Sequence, residues 1–237
     1  MPQINKNINK VGTGFAAFLS PPSPDVIRFT VGQPDFATPN AVVESAKAAL
    51  DRGETTYTRT QGSPALCQAV CDHLKEHEIE IDADNIVVAP GCKQAVLYAM
   101  MATLDPGDEV LLLAPAWPSY DGMLKLIGAV PVHVPVRRDN YHPDFAALEK
   151  AVTAKTKAIM INSPNNPTGA VYSPEEVERL VKLAVKHDLW IIDDMIYATL
   201  VWADYGYTSP TSIEGGKERT ITIGGWSKGW AMTGWRL

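Results

Sequence analysis

Short apolar runs, separated by stretches of helical length, constrain the fold of this chain more than any other feature. The runs are "IVVAP" near Ile86, "EVLLLAPA" near Val110, "KAIMINSP" near Ile159, "LWIIDD" near Ile191 and "TITIGG" near Ile221. Each has roughly four to eight residues, is enriched in β-branched side chains and is bounded by turn formers, which is typical of strands buried on both faces. The alternation therefore predicts a doubly wound α/β domain with a mostly parallel sheet from about Asn85 onward.

Helix signals lie between these runs. The clearest is "SPEEVERLVKLAVKHD", in which Ser173 can cap the helix, Pro174 can occupy the first position and Glu176 can close a capping box. A second helix is expected from Asn40, as the cap, to Gly53, which suits a left-handed C-terminal position. Further helices are predicted at about 64–77, 93–104 and 145–154.

The composition and charge exclude several classes of protein. Nearly half of the chain is apolar, and the net charge of -6 is spread without acidic or basic blocks, so nucleic acid is not an expected partner. No segment approaches the roughly 18 apolar residues of a membrane span, and the N-terminal "MPQINKNINKVGTGFAAF" fits neither a signal peptide nor a transit peptide. A cytoplasmic protein without a membrane partner is expected.

Cysteine and histidine spacing gives no prediction of a metal site. Cys67, Cys71 and Cys92 do not form the pattern of a disulfide framework or of a closed zinc site. His73 and His77 are one helical turn apart, but they lack a third ligand, and an exposed helical face explains them.

The first 50 residues differ in character from the rest. They combine a polar arm, the proline-rich "SPPSPDV" and the loop "VGQPDFATP", as a segment that crosses between two lobes would. We expect residues 1–50 to form an N-terminal arm and part of a small domain. Residues 51–237 are expected to form the large domain.

Polar residues follow the predicted strands. They are Gly91, Cys92 and Lys93 after the first run, Trp117 after the second, "SPNNPTG" after the third, Asp194 and Tyr197 after the fourth, and Ser227 and Lys228 after the fifth. Ligands of doubly wound sheets bind at the carboxyl ends of the strands, so these residues are candidates for one site.

Each of these residues has an ordinary structural explanation when it is taken alone. Gly91 could make a tight turn, Trp117 could belong to the core, and Asp194 could cap a helix. Together they match a ligand with a phosphate, a flat ring, a ring nitrogen that needs a carboxylate, a phenolic oxygen and a group that forms an imine with lysine. Pyridoxal 5'-phosphate (PLP) has all of these groups.

Six strings in this chain also follow one another as they do in a known enzyme family. They are "VGQPDFATP", "GCKQAV", "APAWPSY", "SPNNPTG", "DDMIY" and "SKGWAMTGWRL". In this order they resemble the class I and class II aminotransferases of PLP fold type I, the aspartate aminotransferase family, from about Val31 to Leu237. The resemblance implies an α/β/α sandwich with PLP as its cofactor.

The resemblance assigns Lys228 two roles, which are to form the internal aldimine and then to move a proton between Cα and the cofactor's C4'. Both roles require a neutral amine, which a cationic neighbour such as Arg236 favours. The phosphate-binding residues implied are Gly91, the amides of Cys92 and Lys93, Ser227 and Arg236. Gly225 departs from a frequent serine, so one side-chain contact with the phosphate is expected to be absent.

The ring of the cofactor has its own set of implied contacts. Asp194 would pair with the pyridine nitrogen, and Tyr197, three residues on, would donate to the phenolic oxygen from the same face of a helical turn. Asp193 is the competitor of Asp194 but lacks the match to D-x-x-Y. Asn166 would contact the same phenolic oxygen, and Trp117 would stack on the ring.

Substrate binding is assigned by the resemblance to Gly32, Trp117 and Asn166, with the backbone of Gly32 meeting the substrate carboxylate. Tyr57 would reach the phosphate of a neighbouring subunit. The active unit is therefore expected to be a homodimer with shared active sites.

The function implied is transfer of an amino group between an L-amino acid and a 2-oxo acid, in amino-acid metabolism or biosynthesis. Aspartate with 2-oxoglutarate is the family's default pair of substrates. The alternatives are a PLP-dependent lyase on the same scaffold, a PLP-sensing module of a regulator and an inactive truncated fragment.

In this family the chain continues past "GWRLG" through a strand inside the sheet and a small domain. The C-terminal part of the fold, including that small domain, is therefore expected to be missing here. Residues 1–237 alone are expected to be unstable and inactive, because the strands beside the missing one would keep unpaired backbone groups.

Overall fold

The structure is a computed structural model that describes residues 5–11, 25–27 and 31–237. Most of "SPPSPDV" and much of the expected N-terminal arm lie outside these residues. The strands are β1 (Glu109–Ala114), β2 (Val130–Pro135), β3 (Thr156–Asn162), β4 (Trp190–Asp194) and β5 (Thr220–Ile223). Every pairing is parallel and the order is β2-β1-β3-β4-β5, so the predicted parallel sheet is confirmed.

Helices cover both faces of this sheet. In chain order the helices of the described residues are α1 (Asn40–Asp51), α2 (Pro64–Leu74), α3 (Cys92–Thr103), α4 (Pro118–Ile127), α5 (Phe145–Ala151) and α6 (Pro174–Lys186), of which α3 to α6 pack on the sheet. Helices α3 and α4 pack on one face, here called the front face, with strand residues such as Leu112 and Ile192. Helices α5 and α6 pack on the opposite back face, with Leu111 and Ile191. The expected α/β/α sandwich is thus confirmed.

Helix α6 forms as its local signals predict. The Ser173 hydroxyl accepts a hydrogen bond from the Glu176 amide at 3.3 Å, and the Ser173 amide donates to the Glu176 carboxylate at 3.0 Å, which completes the capping box. The face that includes Val177, Leu180 and Val181 is buried against the back of the sheet. Each such side chain stabilises the fold by roughly 1.5–3 kcal/mol.

Helix α1 differs from the prediction at its start. Asn40 is the first helical residue, and Pro39, with an extended ψ of 135°, stands at the cap position. The left-handed conformation expected of Gly53 is present, with φ of 74°. Within the described part of the chain no residue of α1 is buried, so tertiary packing contributes little to this helix.

Two elements of the structure, β2 and α4, are not among those predicted from the sequence patterns. Strand β2 contains Pro131 and Pro135, which break the pattern of an apolar run. It lies at the edge of the sheet, where a missing N–H need not remove a ladder bond. Helix α4 begins at Pro118, directly after the candidate stacking residue Trp117, and contains Gly122.

The predicted strand at "IVVAP" is wrong for this structure. Residues 86–90 join no ladder, and the Val88 amide donates to the Gln61 carbonyl instead. A groove of about 600 Å³, lined mainly by apolar side chains, lies between these residues and β5. Because a strand needs a neighbouring backbone for its hydrogen bonds, the apolar run alone could not make one. Among the described helices, none is both long and apolar enough to cross a bilayer.

Candidate active site

The site residues meet where the strand order reverses direction. Strand β1 is followed in the chain by β2 on one side, whereas β3, β4 and β5 lie on the other. In open parallel sheets this arrangement leaves a crevice at the carboxyl ends of the strands. Trp117 follows β1, Asn166 follows β3, and Asp194 ends β4, so all three lie at this end of the sheet.

Asp194 is buried and held by two donors. The Tyr120 hydroxyl donates to Oδ2 at 2.6 Å, and the Ile196 amide donates to Oδ1 at 3.2 Å. Burial raises the pKa of the Asp194 carboxyl to about 6, while these two hydrogen bonds oppose the rise. The result is a carboxyl group with a fixed orientation and with a pKa closer to neutrality than that of an exposed aspartate.

A chain of amide contacts links Asp194 to Tyr197. The Asn162 side-chain amide donates to the Asp194 carbonyl at 2.8 Å, and Asn162 Oδ1 accepts from the Asn166 amide at 2.9 Å. The Asn166 side chain in turn donates to the Tyr197 hydroxyl at 3.2 Å. Burial raises the pKa of Tyr197, so its hydroxyl keeps a proton that it can donate to another acceptor.

Lys228 and Gly32 meet at the same place. The Lys228 amine donates a hydrogen bond to the Gly32 carbonyl. A Cβ atom at Gly32 would lie 3.7 Å from Lys228 Nζ and 4.0 Å from the Tyr197 hydroxyl. Burial lowers the pKa of the Lys228 amine, and the Arg236 guanidinium lowers it too. The lowered pKa that the sequence interpretation requires is present, with burial rather than the cationic neighbour as its main cause.

The turn before α3 forms a cationic cradle with Arg236. Gly91 has φ of 84°, and a Cβ atom there would lie 2.3 Å from Arg236 Nη2. Arg236 donates to the Thr233 carbonyl at 2.9 Å and to the Pro90 carbonyl at 3.4 Å. Helix α3 begins at Cys92, and the start of a helix favours negative charge, so the amides of Cys92 and Lys93 lie at a natural anion site.

The thiol of Cys92 explains the glycine at position 225. It donates to the Gly224 carbonyl at 2.9 Å, and a Cβ atom on Gly225 would lie only 2.6 Å from it. Burial raises the pKa of Cys92 to about 12, so the thiol stays protonated. The sequence interpretation assigns the amide of Cys92 to phosphate binding. The thiol has a second role, since its hydrogen bond joins the start of α3 to the end of β5.

Three other predicted residues differ in how close they lie to this site. Trp117 is partly buried, and the Lys93 amine lies 5.1 Å from the centroid of its ring. Ser227 is buried next to Lys228 in the chain. Tyr57 is fully exposed on the segment between α1 and α2, where no described residue of its own chain covers it.

Asp193 lies on the opposite face of the sheet from Asp194. Neighbouring strand residues point to opposite faces, and Asp193 shares its face with Ile191 of the back core. The Tyr207 hydroxyl donates to Asp193 Oδ2, and Oδ1 has no partner among the described residues. Burial raises the pKa of this carboxyl as well. Asp193 is therefore not placed to meet a ligand that Lys228 and Tyr197 contact.

Sequence reasoning missed Tyr120 and Asn162. Tyr120 is three residues after Trp117, a spacing that brings both side chains to one side of a helix, and the two rings lie edge to face with centroids 5.2 Å apart. That spacing in "WPSY" is a signal that could have revealed it. Asn162 is the polar end of the apolar run "IMIN", which is a similar but weaker signal.

These groups fit a phosphorylated aromatic aldehyde. The cradle at Gly91 offers a guanidinium and helix amides to an anion, and Lys228 offers an amine that is deprotonated more easily than an ordinary lysine. A buried carboxyl, Asp194, and a phenol, Tyr197, lie at the same carboxyl ends of the strands. The residues present thus fit PLP.

Comparison with known proteins gives the same result. The model for the family "Aminotransferase class I and II" matches residues 24–237. A probable aspartate/prephenate aminotransferase of Thermus aquaticus is 41% identical over 215 residues, which are 90% of this chain and 55% of that protein. The chain therefore spans about half the length of the curated relatives it matches.

Solved structures show the same fold. The aspartate aminotransferase of Thermus thermophilus with maleate has a TM-score of 0.93 and 36% identity, and the match covers all of this chain and 63% of that one. The aromatic aminotransferase of Pyrococcus horikoshii has a TM-score of 0.88 and 41% identity, with 94% and 60% covered. The chain belongs to the class I and class II aminotransferases, a family of enzymes that depend on pyridoxal 5'-phosphate.

Proposed function

We propose that the whole protein is an aminotransferase that moves an amino group between an L-amino acid and a 2-oxo acid. The observation that carries this proposal is the meeting of Lys228, Tyr197 and Gly32 at the strand ends beside the buried Asp194. An amine, a proton donor and a carboxyl group are the side chains that PLP chemistry needs from its protein.

Lys228 is the residue that we expect to carry the cofactor and to move the substrate's proton. PLP, when bound, supplies an electron sink for the negative charge that forms on the substrate's Cα. Because burial and Arg236 lower the pKa of the Lys228 amine, more of it is neutral near pH 7 than of an exposed lysine. A neutral amine can accept a proton from Cα and return it at another carbon.

Asp194 is proposed to hold a proton on the ring nitrogen through its carboxylate. The Asn162 contact and the Ile196 amide fix the end of β4 that carries it. Tyr197, which accepts from Asn166, has its own proton left to donate to the phenolic oxygen of the cofactor. Trp117 is proposed to stack on the ring.

The phosphate is proposed to bind in the cradle formed by Gly91 and Arg236, with Ser227 and the amides of Cys92 and Lys93. The guanidinium can make two parallel hydrogen bonds to a phosphate, and the start of α3 favours negative charge. Gly91 lets the guanidinium approach the backbone, since any side chain there would occupy its place.

Substrate, assembly and location are further parts of the proposal. Aspartate with 2-oxoglutarate is the first pair to test, because relatives are named for aspartate, although another is named for aromatic substrates. Gly32 is proposed to meet the substrate carboxylate. The full exposure of Tyr57 leaves it available to a second subunit, which supports a homodimer. A cytoplasmic location and a role in amino-acid biosynthesis are proposed from the sequence resemblance alone.

The 237-residue chain alone is proposed to be unstable and unable to turn over substrate. In the described part of the sheet, the outer edge of β5 has no partner strand, and the groove beside it exposes apolar side chains. Both features cost stability. Thermal unfolding of this chain, compared with that of the full-length protein, tests this, and equal melting temperatures with normal turnover would refute it.

The reaction itself is tested by mixing purified full-length protein with PLP and aspartate. We expect the absorbance of bound PLP to change to that of pyridoxamine phosphate, and 2-oxoglutarate to reverse the change. In a parallel assay with serine, whose β-hydroxyl can leave as water, release of ammonia and pyruvate without formation of pyridoxamine phosphate would identify a lyase instead. Reduction with borohydride followed by mass spectrometry should place a pyridoxyl group on Lys228 and on no other lysine.

A further inference from the structure

Tyr120 has a buried hydroxyl that no part of the proposed function uses. It lies in the first turn of α4, is 2% exposed, and donates to Asp194 Oδ2 at 2.6 Å. An O–H···O distance of this length is typical of a hydrogen bond to an ionised carboxylate. The contact joins α4 on the front face to the end of β4, across 74 residues of sequence.

The same helical turn carries Trp117. The two rings meet edge to face at an interplanar angle of 84°, with Trp117 at the cap position of α4 and Tyr120 one turn later. A shift of Tyr120 would therefore disturb both the indole and the carboxylate. Both lie where the proposed function places the cofactor ring.

We propose that Tyr120 is the positioning residue of Asp194, which keeps the carboxylate ionised and aims its Oδ1 side away from α4 toward the cofactor's ring nitrogen. This inference rests on the proposed function, since it concerns the group that Asp194 would bind. Tyr120 acts only through Asp194, because its hydroxyl is already used in the contact with Oδ2.

The physical reason is the shortage of donors around a buried charge. Burial alone favours the neutral carboxyl, and the two hydrogen bonds from Tyr120 and the Ile196 amide favour the ionised form. Burial keeps the pKa of Tyr120 well above that of an ordinary phenol, so the phenol remains a donor at any pH the protein tolerates. Without it, one of the two described donors is lost.

Loss of the Tyr120 hydroxyl should change the pKa of Asp194 in one direction. The pKa of Asp194 rises, so the carboxyl takes up a proton at a higher pH as the solution is acidified. The affinity for PLP should then begin to fall at a higher pH than in the wild type. The other titratable groups around Asp194 are Cys92 from α3, Tyr197 from the turn after β4, and Asp193 with its partner Tyr207 on the far side of the strand.

The test compares Tyr120→Phe with Tyr207→Phe in the full-length protein. Each variant removes one buried phenol hydroxyl from one buried aspartate of β4 and keeps the ring, but Tyr207 contacts Asp193 on the back face. The dissociation constant of PLP is measured by absorbance titration between pH 5 and pH 8.5. For Tyr120→Phe we expect a roughly tenfold loss of PLP affinity at pH 7.5. We also expect the pH at which affinity falls on acidification, here called the acid limb, to rise by roughly one unit.

For Tyr207→Phe we expect an affinity within roughly twofold of the wild type and an unchanged acid limb, whatever the loss in melting temperature. Equal behaviour of the two variants would overturn the proposal, because it would reduce Tyr120 to a packing residue. The same comparison in an Asp194→Asn background is a second test. There Tyr120→Phe should have no further effect on PLP affinity, and an undiminished effect would overturn the proposal.

Failure of the proposed function and failure of this inference would give different results. If wild-type protein forms no pyridoxyl adduct on Lys228, the proposed function and this inference both fail. If the wild type forms the adduct and Tyr120→Phe keeps the wild-type affinity and acid limb, only the role of Tyr120 fails.

Discussion

The two aspartates that end β4 make the same kind of contact on opposite faces of one sheet. Both are buried, and each accepts a hydrogen bond from a tyrosine, Asp194 from Tyr120 on the front and Asp193 from Tyr207 on the back. The difference lies in the second carboxylate oxygen. In Asp194 it accepts from a backbone amide, whereas in Asp193 it has no partner in the described part of the chain.

The surroundings explain what this difference means. Around Asp194 lie a lysine, a phenol and an arginine cradle, all at the carboxyl ends of the strands. Around Asp193 lie Tyr207 and its two ladder neighbours, Ile161 of β3 and Thr222 of β5. Polar groups on the front face should therefore control ligand affinity, while those on the back face should control stability alone.

The largest expected effect comes from replacing each aspartate by its neutral isostere. Asp194→Asn should weaken PLP binding by at least about 100-fold, because it removes one partner of a buried charge pair. Asp193→Asn is the matched control on the back face and should stay within about threefold of the wild type. Titration of both variants with PLP measures this, and a comparable loss in Asp193→Asn would show that the two faces are not separate.

The pH dependence of the unfolding free energy gives a second way to compare the two aspartates. Burial raises the pKa of Asp193 to about 7, while an unfolded aspartate has a pKa near 3.9. Between about pH 4 and pH 7 the folded chain thus binds a proton that the unfolded chain has lost, so this group lowers stability as the pH rises. In Asp193→Asn that fall should disappear. The variant should be more stable than the wild type at pH 7.5 and close to it at pH 4.5.

Urea unfolding at a series of pH values measures this difference. Asp139→Asn is a suitable control, because Asp139 is exposed on the loop between β2 and α5 and its replacement should leave the pH dependence of stability as it is in the wild type. A difference between Asp193→Asn and the wild type that stays constant from pH 4.5 to pH 7.5 would contradict the assignment of the buried proton to Asp193.

The residues that the sequence assigned to the front-face site lie together in the structure, whereas the strand predicted at the edge of the sheet does not form. The pair Asp194 and Tyr197 and the turn at Gly91 lie in short strings whose residues stay close in space, so local patterns are enough to find them. The run "IVVAP" looks like the other strands, but strand formation depends on a partner that local sequence does not contain. Tyr120 was missed for the same reason, since its partner is 74 residues away.

A substitution in the cradle at Gly91 gives a second test of whether the front face controls the affinity for PLP. Gly91→Ala brings a Cβ atom to 2.3 Å from Arg236 Nη2, so the guanidinium must move away from the helix start. We expect a roughly tenfold loss of PLP affinity, as one charge-assisted hydrogen bond is weakened. Gly53→Ala is the matched control, because Gly53 also has a positive φ, of 74°, but has nothing within 4 Å of its Cβ position.

Both glycine variants should lose about 1–2 kcal/mol of unfolding free energy from backbone strain, since each forces alanine into the left-handed region. Only Gly91→Ala should change the affinity for PLP. If Gly53→Ala weakened PLP binding equally, the loss would reflect general destabilisation and the cradle would have no specific role.

The smallest effect is expected at the cap of α6 on the back face. Ser173→Ala removes the hydroxyl that accepts from the Glu176 amide, and helix caps of this kind contribute about 1 kcal/mol. Urea unfolding should show that loss, and PLP titration should show the wild-type affinity. Because α6 packs only on the back of the sheet, a change in affinity here would mean that packing on the back face is transmitted to Asp194 through β4. Unchanged affinity beside reduced stability is the result that a rigid central strand requires.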